Sequence, residues 1–195
     1  MTTHQPDLNA VDWSQIPAPA DDGAADHLAG MRVPPMALAS TAGALVDLAA
    51  LSGRSVVYAY PRTGTPEEIS PVEGWDMIPG ARGCTPQACG FRDHFADLHA
   101  LGVTQVFGLS TQTTAYQAEM AARLHLPFPI LSDEALAFTQ AARLPTFEAG
   151  GMTLLRRLTM IIDAGVITRT LYPVFPPDRS AQDVMAALRD MPSLP

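Results

Sequence analysis

The sequence predicts an α/β protein in which a central mixed β-sheet is flanked by helices. Two short runs rich in β-branched and aromatic residues, "SVVYAY" (55–60) and "TQVFGLS" (104–110), are separated by a stretch with helical apolar spacing. Two later runs, "LTMIID" (158–163) and "VITRTLY" (166–172), have only Ala164 and Gly165 between them, which is hairpin spacing with a glycine available for positive φ. A helix-patterned segment, "SAQDVMAALRDM" (180–191), follows. The order β-α-β-α, then a hairpin, then a helix is what places a mixed sheet between helices.

The chain has 195 residues, 47% of them hydrophobic, enough for one domain with a buried core. Residues 1–26 are rich in Asp, Ala and Pro without sustained periodicity and read as an N-terminal arm, poorly ordered or wrapped around the periphery. The domain is expected over 27–195. Its first strand is "SVVYAY", bounded by the turn-rich "PRTGTP". From Cys84, the residues Ala88, Phe91, Phe95, Leu98 and Leu101 step by three or four, an apolar stripe predicting one helix that Gly102 ends. After "TQVFGLS", Thr113 or Thr114 can cap a helix over "AYQAEMAARLHL", and a further helix follows the turn "LSD" at "EALAFTQAARL".

Twelve basic against twenty acidic residues give a formal charge of -8, the wrong sign for a surface that tracks phosphates, so nucleic acid is excluded as a partner. The first residues show no basic segment leading into an apolar run, and no window of about 18 apolar residues could span a membrane. A soluble, cytoplasmic protein is expected, with no membrane partner. In a reducing cytosol two cysteines are seldom a structural staple, so catalysis, redox chemistry or a metal site are the readings to weigh.

Both cysteines lie in "GCTPQACGFRD" (83–93). Cys84 falls in the first helical turn, where free N–H groups and the positive end of the helix dipole favour a thiolate. Pro86 fits that placement, because a first-turn proline removes no intrahelical donor. Cys89 is a turn and a half further on, and helical geometry separates the two Cα atoms by about 8.7 Å. A disulfide needs less than about 7 Å, so the two thiols can join only if the first turns unwind. Spacing alone also allows two inert buried thiols. A zinc site with His94 or His99 is disfavoured, because CxxxxC is a poor ligand spacing.

With the sixteen residues 67–82 set aside, "YPRTGTP" and "GCTPQACGFRD" join into a segment that resembles the active site of the Q-type peroxiredoxins, also called bacterioferritin-comigratory proteins. Pro61, Thr65 and Cys84 take the positions of that family's Pro-x-x-x-Thr-x-x-Cys motif, and Cys89 that of its resolving cysteine. "FGLST", "LPFPILSD" and "RLTMIIDAGVI" also resemble the family, with Arg157 in the place of its active-site arginine. The resemblance runs over roughly residues 28–190. It implies a thioredoxin-like fold and a thiol peroxidase acting on hydrogen peroxide or organic hydroperoxides. In that reading the Cys84 thiolate becomes a sulfenic acid, Cys89 resolves it to a disulfide, and a thioredoxin-like dithiol restores both thiols. Arg157 and Thr65 would stabilise charge on the sulfur and the breaking O–O bond, and Pro61 would keep solvent off. No metal or organic cofactor is implied, and relatives of this type resemble monomers or small homo-oligomers.

One departure from the family pattern is the insertion, which leaves Thr65 and Cys84 nineteen positions apart. Trp75, Met77 and Ile78 give it an apolar face, predicting a lid over the site, and Arg82 would add positive potential beside the thiol. Thr63 is the alternative to Thr65, and Arg156 to Arg157. Two other functions share the fold: a thiol-disulfide oxidoreductase, against which the missing CxxC counts, and a non-enzymatic redox sensor.

Overall fold

The computed structural model describes residues 11–65 and 72–192. The strands are β1 (Ala37–Ser40), β2 (Leu45–Asp47), β3 (Arg54–Ala59), β4 (Val103–Ser110), β5 (Ile130–Ser132), β6 (Thr146–Ala149), β7 (Met152–Leu155), β8 (Leu158–Asp163) and β9 (Val166–Leu171). The helices are α1 (Cys84–Asp93), α2 (Phe95–Ala100), α3 (Thr114–Arg123), α4 (Ala137–Ala142) and α5 (Ser180–Arg189). Seven strands form one sheet in the order β2-β1-β5-β4-β3-β8-β9, while β6 and β7 pair as a separate antiparallel ribbon.

At the centre of the sheet, β3 is parallel to β4 and antiparallel to β8, and β4 is parallel to β5. Every residue of β3 is buried, as a strand covered on both faces requires. Its alternate side chains feed two cores: Val56 and Tyr58 pack with Phe91, Leu98, Met120 and Val184 from the helices. Val57 and Ala59 face the other way, among Leu28, Phe107, Phe138 and Met160. The mixed sheet between helices is the architecture the sequence predicts, and the late hairpin turns at Ala164 and Gly165, both at positive φ. Thr113 caps α3, its side chain accepting from the Tyr116 N–H.

Four local expectations are corrected. The stripe from Ala88 to Leu98 is buried, but two helices carry it, with His94 capping the end of α1 and the start of α2. Neither glycine nor proline marks that break, so periodicity could not find it. Leu131 and Ser132 of "LSD" belong to strand β5, whose three residues are too few to show a period. The helix expected at "EALAFTQAARL" is confined to α4, because the Asp133 carboxylate accepts from the Phe138 and Thr139 N–H groups and starts the helix there. β1, β2, β6 and β7 are strands of three or four residues that the sequence reading does not contain.

The insertion 67–82 is described from Val72 onward; its first residues lie outside the described ones. Trp75 is buried with Ala81, Ala149 and Leu154, against a flank that includes Phe147 and Ile78. This segment therefore docks on the β6–β7 ribbon as a small third core. Met77 does not join it and is 64% exposed. At the other end of the chain, Trp13 opens a 3-10 turn (Trp13–Gln15). Its indole N–H donates to Asp178 Oδ2 at 2.7 Å and its ring meets Phe175 edge-on at 6.0 Å.

Candidate active site

Helix α1 begins at Cys84, with Gly83 as its N-cap at φ +105°. A β-carbon on Gly83 would lie 2.2 Å from Pro177 Cγ and 2.8 Å from Trp13 Cη2, so both the backbone angle and the packing require glycine here. Cys84 is the first helical residue and is 4% exposed, with its sulfur 3.7 Å from the Ala81 carbonyl. The thiol is thus sheltered at the start of a helix, where first-turn N–H groups lack intrahelical partners.

The guanidinium of Arg157 reaches that sulfur from the loop between β7 and β8. Nη2 lies 3.4 Å from Cys84 Sγ and also donates to the carbonyls of Gly80 (3.2 Å), Ala81 (3.2 Å) and Arg82 (3.1 Å). Nη1 donates to Gln87 Oε1 in a short hydrogen bond, and Gln87 Nε2 in turn donates to Ser180 Oγ at 3.2 Å. Arg157 is 2% exposed, and among the described residues no carboxylate pairs with it. Neutral oxygens thus hold the guanidinium in place beside the sulfur. Arg156 points elsewhere, with Nε on the Thr146 carbonyl and its guanidinium over the Phe147 ring.

A cleft of about 190 Å³ opens on Cys84, walled by Trp13, Arg62, Thr63, Trp75 and Thr85. Thr63, the alternative to Thr65, lines the cleft. Gln112 grips Thr63 on both sides, its Oε1 accepting from the Thr63 N–H (3.1 Å) and hydroxyl (3.3 Å) and its Nε2 donating to the Thr63 carbonyl (3.1 Å). That clamp fixes the loop at Thr63, two residues before the motif position. Pro61 is buried two residues after β3, and two indoles, Trp13 and Trp75, wall the cleft. Arg82 does not add to the potential at the thiol: its guanidinium is paired with Asp76 at 2.5 Å, and its carbonyl is what serves the site.

Cys89 lies on the same helix, half-buried, lining a separate cavity of about 210 Å³ with Trp13, Pro86 and Asp178. Both cysteines are free thiols. Burial, more than the nearby Asp93, pushes the Cys89 thiol above its ordinary range. Of the predicted residues, Cys84 and Arg157 are brought together; Cys89 stays apart while α1 is folded.

Comparison with known proteins decides the family. The redoxin pattern matches residues 28–188, most of the chain. The chain belongs to the redoxin family, as a Q-type peroxiredoxin. A chloroplastic peroxiredoxin Q of Sedum lineare is 29% identical over 164 residues, 83% of this chain and 78% of its own length. A putative peroxiredoxin bcp of Coxiella burnetii is 32% identical over 106 residues, 54% of this chain and 59% of its own. Peroxidoxin BcpB of Mycobacterium tuberculosis superposes with a TM-score of 0.67 at 24% identity, covering 85% of this chain and 98% of its own, and shares the thioredoxin-like fold.

Three residues of this peroxiredoxin site were not assigned by sequence reasoning. Gln87 stands in the quoted motif, and its i+3 spacing from Cys84 was a usable signal, since it puts an amide beside the sulfur on one helix face. Gln112 and Trp13 carry no local signal. Their roles exist only because the sheet and α5 bring distant segments to α1.

Proposed function

We propose that this peroxiredoxin reduces hydroperoxides with Cys84 as the peroxidatic and Cys89 as the resolving thiol. The observation that carries the reading is the buried Arg157 guanidinium 3.4 Å from Cys84 Sγ at the start of α1. The Cys84 thiolate attacks one peroxide oxygen, the O–O bond breaks, and the other oxygen leaves with a proton as water or an alcohol; the sulfur becomes a sulfenic acid. Arg157 and the first-turn N–H groups stabilise the charge that moves from sulfur to the departing oxygen. The Thr63 hydroxyl, which donates to Gln112, keeps lone pairs that can accept a hydrogen bond from the peroxide O–H. The Cys89 sulfur then displaces hydroxide from the sulfenic acid, releasing water and forming a disulfide once α1 opens. A thioredoxin-like dithiol reduces that disulfide by exchange, which requires a reducing compartment such as the cytoplasm.

Single-turnover kinetics test the assignment. Reduced protein should consume one equivalent of peroxide rapidly, Cys84→Ser should consume none, and Cys89→Ser should complete one turnover and stop at the sulfenic acid. Peroxide consumption by Cys84→Ser at the native rate would overturn it. A disulfide oxidoreductase would instead reduce insulin without peroxide.

A further inference from the structure

Trp13 stands where the two thiols would have to meet. It lines both the cleft of Cys84 and the cavity of Cys89, together with Val11 and Pro86. Its ring abuts Gly83 so closely that a β-carbon there would come within 2.8 Å of it, and the same β-carbon would lie 2.2 Å from Pro177 Cγ. The indole is anchored on Asp178 Oδ2 at 2.7 Å, a residue of the 3-10 turn (Pro177–Arg179) packed against α1. The other oxygen of that carboxylate, Oδ1, is buried without a hydrogen-bond partner among the described residues, so the indole is the group that satisfies Asp178. The first turn of α1 is therefore pinned on its outer side by a side chain from the N-terminal arm. Joining Cys84 to Cys89 requires that same turn to unwind.

We propose that Trp13 is a positioning residue for the resolving step: it holds the first turn of α1 folded, slows closure of the Cys84–Cys89 disulfide and so prolongs the life of the sulfenic acid. The inference rests on the cysteine roles proposed above. While the strap holds, Cys84–SOH has two fates. It can wait for opening, after which Cys89 closes the disulfide and water leaves. It can also meet a second hydroperoxide, which oxidises it to sulfinic acid and departs as alcohol or water. Releasing the strap favours the first fate and reduces the second.

The test uses the full chain, unsubstituted and as Trp13→Phe and Trp13→Ala. Reduced protein is mixed with equimolar hydrogen peroxide and quenched over time, and sulfenic acid (trapped with dimedone) and disulfide are quantified by mass spectrometry. The disulfide-forming phase is read separately from peroxide consumption, so any change in the first step does not enter. Phenylalanine keeps a ring against Gly83 but loses the N–H, and should close the disulfide roughly tenfold faster, the worth of one hydrogen bond to a charged acceptor. Alanine should be faster still, and at excess peroxide the sulfinic acid yield should fall in the same order. A merely structural tryptophan would lower thermal stability without speeding closure. Equal or slower closure in both variants overturns the proposal. If the unsubstituted chain forms no Cys84–Cys89 disulfide at all, it is the assignment of the resolving thiol that fails.

Discussion

At the residue scale the chemistry turns on Arg157, a buried cation whose fixed partners are neutral oxygens. Arg157→Met should slow the peroxide step by about 10²–10³, as loss of a preorganised charge-stabilising donor does in other enzymes. Stopped-flow peroxide consumption measures it, and a change of less than threefold would contradict the role. Arg157→Lys should fall between, because an ammonium keeps the charge but cannot reach Gln87 and the Gly80–Arg82 carbonyls together. Cys89 supplies a pH prediction. Burial raises its thiol above the ordinary value, so the neutral form prevails near pH 7. The attacking species is the thiolate, formed after α1 opens in a rapid pre-equilibrium. The disulfide-forming rate should therefore climb with pH, by up to about tenfold per unit below the thiol pKa; a flat profile over pH 6–9 would contradict it. Stability has the opposite sign: the contribution of neutral Cys89 is fully present below its unfolded-state pKa and is lost as pH rises through the folded value. Cys84 at the start of a helix was legible because first-turn signals act locally, whereas Arg157 entered only through the resemblance of "RLTMIIDAGVI" to the family. Thr63 and Thr65 were not separable, because a motif spacing interrupted by an insertion no longer states which hydroxyl serves the site.

At the element scale, α1 joins the site to the rest of the fold. Its start was readable from Gly83, Cys84 and Pro86, each tied to a first-turn requirement. Its end was not, since His94 breaks the helix while the apolar stripe continues into α2. Gly83→Ala should force a β-carbon into Pro177 and Trp13 and a side chain into φ +105°. We expect a loss of about 2 kcal/mol or more, combining left-handed strain with overpacking, measured as a shift of the denaturant midpoint. A neutral result would show that the arm and the 3-10 turn do not press on α1 as described. The short strands β1, β2, β5, β6 and β7 escaped the sequence reading because three or four residues pair by tertiary context and leave no countable alternation.

At the scale of the whole molecule, the insertion is part of the active site. Trp75 anchors it on the β6–β7 ribbon, and the carbonyls at its end hold the guanidinium beside Cys84. Trp75→Ala should cost about 3–5 kcal/mol through lost burial and an unfilled cavity, and should also slow peroxide reduction as the carbonyl cradle loosens. Calorimetry and stopped flow check the two together; a stability loss with unchanged kinetics would separate the insertion from catalysis. The sheet and its helices were legible from periodicity, because β3, β4, β8 and α5 are long enough to show it. The third core was not, since it joins residues 72–82 to 147–154 through contacts no local pattern encodes. The most direct test of the account is peptide mass mapping of the protein after equimolar peroxide. One peptide carrying both Cys84 and Cys89, lighter by the two thiol hydrogens and closed on itself by their disulfide, is the expected result. Cys84 recovered as an unmodified thiol after the peroxide is gone would contradict it.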